Sequence, residues 1–263
     1  MSNAAQHGAP TTAAVALQRE TALHMTAGAL ALAFGAVMFG SVSDQALRTA
    51  LVSVGLFLPV AAVVLVKIAA YHPHSSFGLP NAVTTSRAVL ICLFAGGLSQ
   101  AGAAPESGLA WSLVILALLS LTLDGIDGFL ARRLGLSSPF GARYDMEVDA
   151  LLILLLAVAA WSFGKAGVWV IASGLIRYGF VVGGWIWPAL RAPLPPSMRR
   201  KAVCVLQTAA LGLLLAPFIT PPLSVVIAAI ALAALVWSFG VDIVWLVRQA
   251  RQPRSQPQPE WAA

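Results

Sequence analysis

The sequence predicts an all-α integral membrane protein of about eight transmembrane helices, and three observations carry that prediction. Of 263 residues, 59% are hydrophobic and only 10% are charged, with a mean hydropathy of +0.85, whereas a soluble domain is normally about 25% charged. A bilayer core about 30 Å thick takes roughly 20 apolar residues per helix. By that measure the spans fall near 23–42, 48–70, 86–104, 109–130, 145–164, 167–189, 201–217 and 221–247. The basic residues then sort by side. One set of connections and span ends holds Arg19, Lys67, Arg87, Arg132, Arg133, Arg143, Arg191, Arg199, Arg200, Lys201, Arg248, Arg251 and Arg254, while the opposite set holds Arg48 and Lys165. Because Lys and Arg favour cytoplasmic loops, this asymmetry predicts that both termini are cytoplasmic, in a membrane of the bacterial inner (cell) type.

Taken in order, residues 1–20 are polar and rich in Ala and Thr, without the basic start and apolar core of a signal peptide. They read as a disordered cytoplasmic tail. Residues 21–77 hold two N-terminal spans and a linker, YHPHSSF, whose His72 and His74 lack the further ligands that a metal site needs. Pro80 and Asn81 read as the start of the third helix, with Thr84, Thr85 and Ser86 in its first turns. Cys92 and Cys204 lie in separate apolar stretches with no metal-ligand spacing, as small packing residues do. Arg177 interrupts the sixth span, and an intramembrane Arg is a functional candidate or the structural partner of one of the aspartates. Arg199, Arg200 and Lys201 open the seventh span. The eighth is long enough to continue beyond the bilayer, and residues 248–263, rich in Pro and Gln, read as a disordered C-terminal tail.

Asp124, Asp127, Asp145 and Asp149 fall within 26 residues of this otherwise lipid-soluble chain. A carboxylate at the centre of a membrane helix costs roughly 2.5 kcal/mol or more, so four together demand compensation. The first two are spaced i, i+3 and the last two i, i+4, which places each pair on one helix face. Between them ARRLGLSSPFGAR supplies a plausible tight turn, and the expected arrangement is an antiparallel hairpin whose two helices meet side by side. An all-oxygen donor set without His or Cys selects hard divalent ions, Mg2+ or Mn2+, and four carboxylates suit two of them. Gly125 and Gly128 leave backbone open to a ligand, and Arg132, eight residues after Asp124, suits a diphosphate. The carboxylates alone also leave open a cation transporter, although such sites normally lie near the bilayer midplane within internal repeats, which are absent here.

The spacing Asp124-x2-Asp127-Gly128-x2-Ala131-Arg132-x8-Gly141-x3-Asp145-x3-Asp149 resembles the full signature of the CDP-alcohol phosphotransferase (CDP-alcohol phosphatidyltransferase) family, with every fixed position filled. The resemblance implies a six-helix core over residues 78–247, with the first two spans outside it. It also implies transfer of a substituted phosphate from a CDP-linked donor to an alcohol, with release of CMP. On the family pattern, Asp124, Asp127, Asp145 and Asp149 form the metal site, and Asp149 also deprotonates the acceptor hydroxyl. Asp124, Gly128, Ala131 and Arg132 would line the CDP site, and GLPNAVTTSR resembles the family's usual start of its first core helix. Asn81, Thr84 and Arg87 would then border the nucleotide, unless Asn81 and Thr84 are helix caps and Arg87 an interfacial anchor.

The expected donor is CDP-diacylglycerol and the expected acceptor a small polar alcohol, with or without a phosphate of its own. The reversed arrangement, a soluble CDP-alcohol acting on a lipid hydroxyl, is the alternative. Arg177, Arg199, Arg200 and Lys201 are the candidates for an acceptor phosphate. SMRRKAVCVLQ resembles the basic helix start of phosphatidylglycerophosphate synthases, with Lys201 and Gln207 matching and Val203 standing where those enzymes usually carry a second Lys. The family also implies a homodimer in the bilayer, and no nucleic-acid partner is expected.

Overall fold

Eight helices account for nearly all of the residues described by the structure, a computed structural model covering 12–42, 44–102, 105–192, 194–195 and 197–251. They are α1 (Thr12–Ser41), α2 (Ala46–Tyr71), α3 (Gly78–Gln100), α4 (Ser107–Arg133), α5 (Pro139–Ser162), α6 (Ala172–Ile186), α7 (Met198–Leu214) and α8 (Leu223–Arg251). Short 3-10 turns at Val168–Ile171 and Pro188–Arg191 flank α6, and there is no strand among the described residues. Six segments are long and apolar enough to cross a membrane: α1, α2, α3, α4, α8, and α6 together with the 3-10 turn before it. The protein is a multi-pass integral membrane protein. α5 differs because Arg143, Asp145, Glu147 and Asp149 crowd its first half, and α7 because it has 17 residues and opens on three cations.

Residues 12–20 and 248–251, read from the sequence as parts of the tails, are helical. α1 is already helical from Thr12 and α8 continues to Arg251; residues 1–11 and 252–263 lie outside the described residues.

α1 and α2 form a hairpin that packs on α3, and α3 in turn packs against α4 and α5. α5 contacts α6 and α7, and α7 contacts α4 and α8. The side-by-side hairpin of α4 and α5 is not what the chain builds. These helices share a turn but make little direct contact, because α3 packs against both. Arg87 of α3 stands between the two aspartate pairs and binds both.

The turn itself follows from local chemistry. α4 stops where Gly135 takes φ +66°, and the Leu136 N–H returns to the Ala131 carbonyl at 3.1 Å, a left-handed termination that glycine adopts without strain. Ser138 then caps α5, its Oγ accepting the Gly141 N–H at 2.9 Å, with Pro139 as the first helical residue.

Closest packing between α2 and α3 occurs at Gly96, where a Cβ would lie 2.1 Å from Ser53 Oγ and 2.7 Å from the Thr49 carbonyl oxygen. Because one of those obstacles is backbone, a side chain cannot be absorbed by a rotamer change. Gly96→Val is expected to lower stability by about 1–3 kcal/mol, the usual cost of overpacking, read by thermal unfolding in detergent. An unchanged melting temperature would contradict this packing.

Candidate active site

The first half of α3, the last turns of α4 and the first turns of α5 meet at one end of the bundle, and Arg87 of α3 stands at their centre. It is the largest fully buried side chain among the described residues, 0% exposed. Its Nη1 lies 3.0 Å from Asp124 Oδ1 and 3.1 Å from Asp127 Oδ2 and also pairs with Asp145 Oδ1. Its Nη2 pairs with Asp149 Oδ1, and its Nε donates to the Ser120 carbonyl at 3.2 Å. Every carboxylate of the sequence motif is therefore gathered around one guanidinium. The interfacial-anchor alternative for Arg87 fails, since an anchor would reach the surface.

Thr84, one turn before Arg87, shares its hydroxyl proton between the Pro80 carbonyl and Asp127 Oδ2, both at 3.0 Å. Asn81 Nδ2 donates to the Phe77 carbonyl at 2.6 Å, tying down the start of α3. Its Oδ1 faces Gly141, where a Cβ would come within 2.9 Å. Gly141 therefore permits close approach of α5 to α3. Tyr144, next to Asp145, donates to Thr85 Oγ1 at 3.3 Å.

Asp124, Asp127 and Asp145 each turn an oxygen toward a common point, these oxygens lying within 4.8 Å of one another. Asp149 stands beside them on the other guanidinium nitrogen, with the Cys204 thiol 3.8 Å from its Oδ2. With all four carboxylates ionised, one guanidinium leaves a net charge of minus three. The donor set is entirely hard oxygen, and it already encloses one cation. Both facts fit divalent metal ions, with Asp124, Asp127 and Asp145 as the residues that would hold them.

Arg132 is exposed on the last turn of α4 and folds back along Gly128, its Nη1 3.3 Å from where a Cβ would stand. A side chain at Gly128 would crowd this guanidinium. Ala131 is half-buried and gives its carbonyl to Leu136 and Ser137. The other basic candidates are placed differently from the quartet. Arg177 pairs with Glu147 of α5 at 2.6 Å, so its partner is the neighbouring glutamate and not one of the four aspartates. Arg199 and Arg200 both bind Asp242 of α8, a carboxylate only 6% exposed, and Arg199 also reaches Ser238. Lys201 is exposed.

Sequence reasoning missed the centrality of Arg87 and the thiol of Cys204 beside Asp149. The available signal for the first was position, since Arg87 precedes AVLICLF and so lies inside an apolar helix where a cation must have partners. Nothing in the sequence signalled the second.

Fold and site together define a multi-pass membrane protein with an all-carboxylate centre at one end of its helical bundle. The chain belongs to the CDP-alcohol phosphatidyltransferase family, which it matches over residues 77–237, well over half of its length. It is therefore a transferase and not the cation transporter that the carboxylates alone left open. It is similar to a probable phosphatidylglycerophosphate synthase of Mycobacterium tuberculosis, 29% identical over 170 residues, covering 63% of this chain and 79% of the relative. It is also similar to a CDP-diacylglycerol--glycerol-3-phosphate 3-phosphatidyltransferase of Bacillus subtilis, 31% identical over 117 residues, covering 41% of this chain and 60% of the relative. No solved structure matches it.

Removing Arg87 tests the balance of charge at the site. Arg87→Gln leaves the carboxylates facing one another, and breaking a buried ion pair from one side costs about 3–5 kcal/mol. The variant is expected to unfold well below the wild type in EDTA and to recover more stability than the wild type on adding Mg2+, read by thermal unfolding. Equal melting in EDTA would contradict the counter-ion role.

Proposed function

We propose that the protein transfers a phosphatidyl group from CDP-diacylglycerol to a small phosphorylated alcohol, glycerol 3-phosphate first among candidates, with release of CMP. The observation that carries this reading is the convergence of Asp124, Asp127, Asp145 and Asp149 on one charge-deficient centre. The names of the relatives support the donor and the acceptor, and the basic start of α7 supports a phosphate on the acceptor.

Asp124, Asp127 and Asp145 would hold the divalent ions, with Asp149 contributing. When bound, such ions neutralise charge on a diphosphate and ease displacement at phosphorus. Asp149 takes the proton from the acceptor hydroxyl, the task of a positioned carboxylate base, worth about 10²–10⁴-fold in rate. Arg132, exposed beside Gly128, reaches the donor diphosphate, and Thr84 orients Asp127 by its hydrogen bond. Arg87 holds the carboxylates together, and Asn81 with Gly128 and Ala131 borders the cytidine. Arg199 and Arg200 are fixed in place by Asp242 and keep donors for the acceptor's phosphate, and Lys201 and Arg177 are the further candidates for it.

The site opens to the cytoplasm, where CDP compounds and glycerol phosphates are dissolved, and a homodimer is the proposed assembly. A soluble CDP-alcohol donor acting on a lipid hydroxyl is the competing arrangement, because the signature engages only the CDP half.

Two experiments test the chemistry. Asp149→Asn is expected to lower CMP release about 10²–10⁴-fold while CDP-diacylglycerol binding stays measurable, whereas Asp124→Asn weakens metal-dependent nucleotide binding as well. A near-normal rate for Asp149→Asn would remove it as the base. In a CMP-release screen, CDP-diacylglycerol with glycerol 3-phosphate is expected to exceed inositol phosphate, inositol and serine, and EDTA to abolish the signal. Release only from CDP-choline or CDP-ethanolamine would select the competing arrangement.

A further inference from the structure

α1, α2 and the linker to α3 precede the family-matched residues 77–237, yet they hold the turn that separates the two aspartate pairs. His72, the first residue after α2, reaches Ser138 with Nδ1 at 3.1 Å and the Ser76 carbonyl with Nε2 at 2.9 Å. A carbonyl can only accept, so Nε2 carries the hydrogen. In the neutral ring Nδ1 then accepts from the Ser138 hydroxyl. Ser138 Oγ in turn accepts the Gly141 N–H at 2.9 Å as the cap of α5. The result is an unbroken chain from the linker, through His72 and Ser138, into the first turn of the helix that carries Asp145 and Asp149. Burial lowers the His72 pKa below its ordinary value, which favours the neutral ring.

The contact is supported on both sides. Phe140, the second residue of α5, lies edge-on to the His72 ring at 5.8 Å, and His74 Nε2 approaches the Ser137 carbonyl at 3.4 Å. On the other side His24 of α1 packs on the fully buried Phe77, with ring centroids 4.9 Å apart. Phe77 supplies the carbonyl that holds Asn81, which abuts Gly141. Gly141 is thus gripped between Ser138 and Asn81, one helical turn before Asp145.

We propose that the N-terminal two-helix unit is a positioning element for the active site, with His72 latching the α4–α5 turn so that Asp145 and Asp149 stand in register with Asp124 and Asp127. Helices α4 and α5 make little direct contact, so their relative placement depends on α3, which packs against both, and on the linker, which fixes the turn between them. A displacement of about 1 Å in such a constellation is enough to impair catalysis. His72 acts through Ser138 and touches no substrate. The inference rests on the metal reading of the carboxylates.

The test uses the full-length protein in detergent. Mn2+ affinity is read by EPR titration, kcat and KM by CMP release, and amide hydrogen exchange over residues 137–144 by mass spectrometry. His72→Ala is expected to lower Mn2+ affinity and kcat about tenfold, as loss of a residue supporting metal ligands does, with KM for CDP-diacylglycerol little changed and exchange accelerated in that segment. His72→Asn, whose Oδ1 takes the place of Nδ1, restores most of both. His72→Gln keeps the Ser76 side and loses Ser138, so it behaves like His72→Ala and replaces it if that variant does not fold. Wild-type Mn2+ affinity and kcat in His72→Ala and His72→Gln, or His72→Asn no better than His72→Ala, would overturn the latch. Absence of Mn2+ binding in the wild type would instead overturn the metal reading, and the exchange rates would still decide whether His72 holds the turn.

Discussion

Four carboxylates from α4 and α5 converge on one buried guanidinium from α3, and the arrangement of the bundle follows from satisfying them. Like charges brought together in a low-dielectric medium repel by several kcal/mol unless a cation stands between them. Arg87 is that cation, and to reach the centre α3 must pack against both α4 and α5. The left-handed turn at Gly135 and the close approach at Gly141 then become requirements of the site. The first returns the chain after α4, and the second lets α5 close on α3.

The other buried charged residues among those described, Lys165 and Asp242, also have partners. Arg177 has Glu147, Arg199 and Arg200 share Asp242, and Lys165 donates to the carbonyls of Ala216 and Ile219. Such pairing is what a chain surrounded by lipid must achieve for any charge it retains. The quartet departs from it, since one guanidinium faces four acids. That imbalance separates a site prepared for further cations from a structural ion pair.

Much of the site was legible because its chemistry depends on spacing along single helices. The i, i+3 and i, i+4 aspartates, Arg132 after Asp124 and the GLSSP turn are local patterns, and local patterns survive into structure wherever the helix forms. The basic residues were less legible. Arg177 and the pair Arg199 and Arg200 looked equivalent in sequence, whereas their partners, Glu147 and Asp242, come from other helices. Which acid an arginine finds is a property of packing between helices and leaves no periodic trace.

By itself the sequence determined that the chain is a helical membrane protein, and hydrophobic length and charge asymmetry suffice for that because the bilayer imposes both. It also pointed to the family by resemblance, because the residues that carry the resemblance, Asp124 to Asp149, lie close together along the chain. The tertiary structure decided that α3 packs against both aspartate-bearing helices, that Arg87 and not a neighbouring surface group balances the carboxylates, and that the first two helices hold the turn through His72 and Ser138. The pairing of Arg87 with the four carboxylates and the contact of His72 with Ser138 join residues 37 to 66 positions apart in the chain, and contacts at that range are selected by charge compensation and close packing between helices, not by any propensity of the segments that make them.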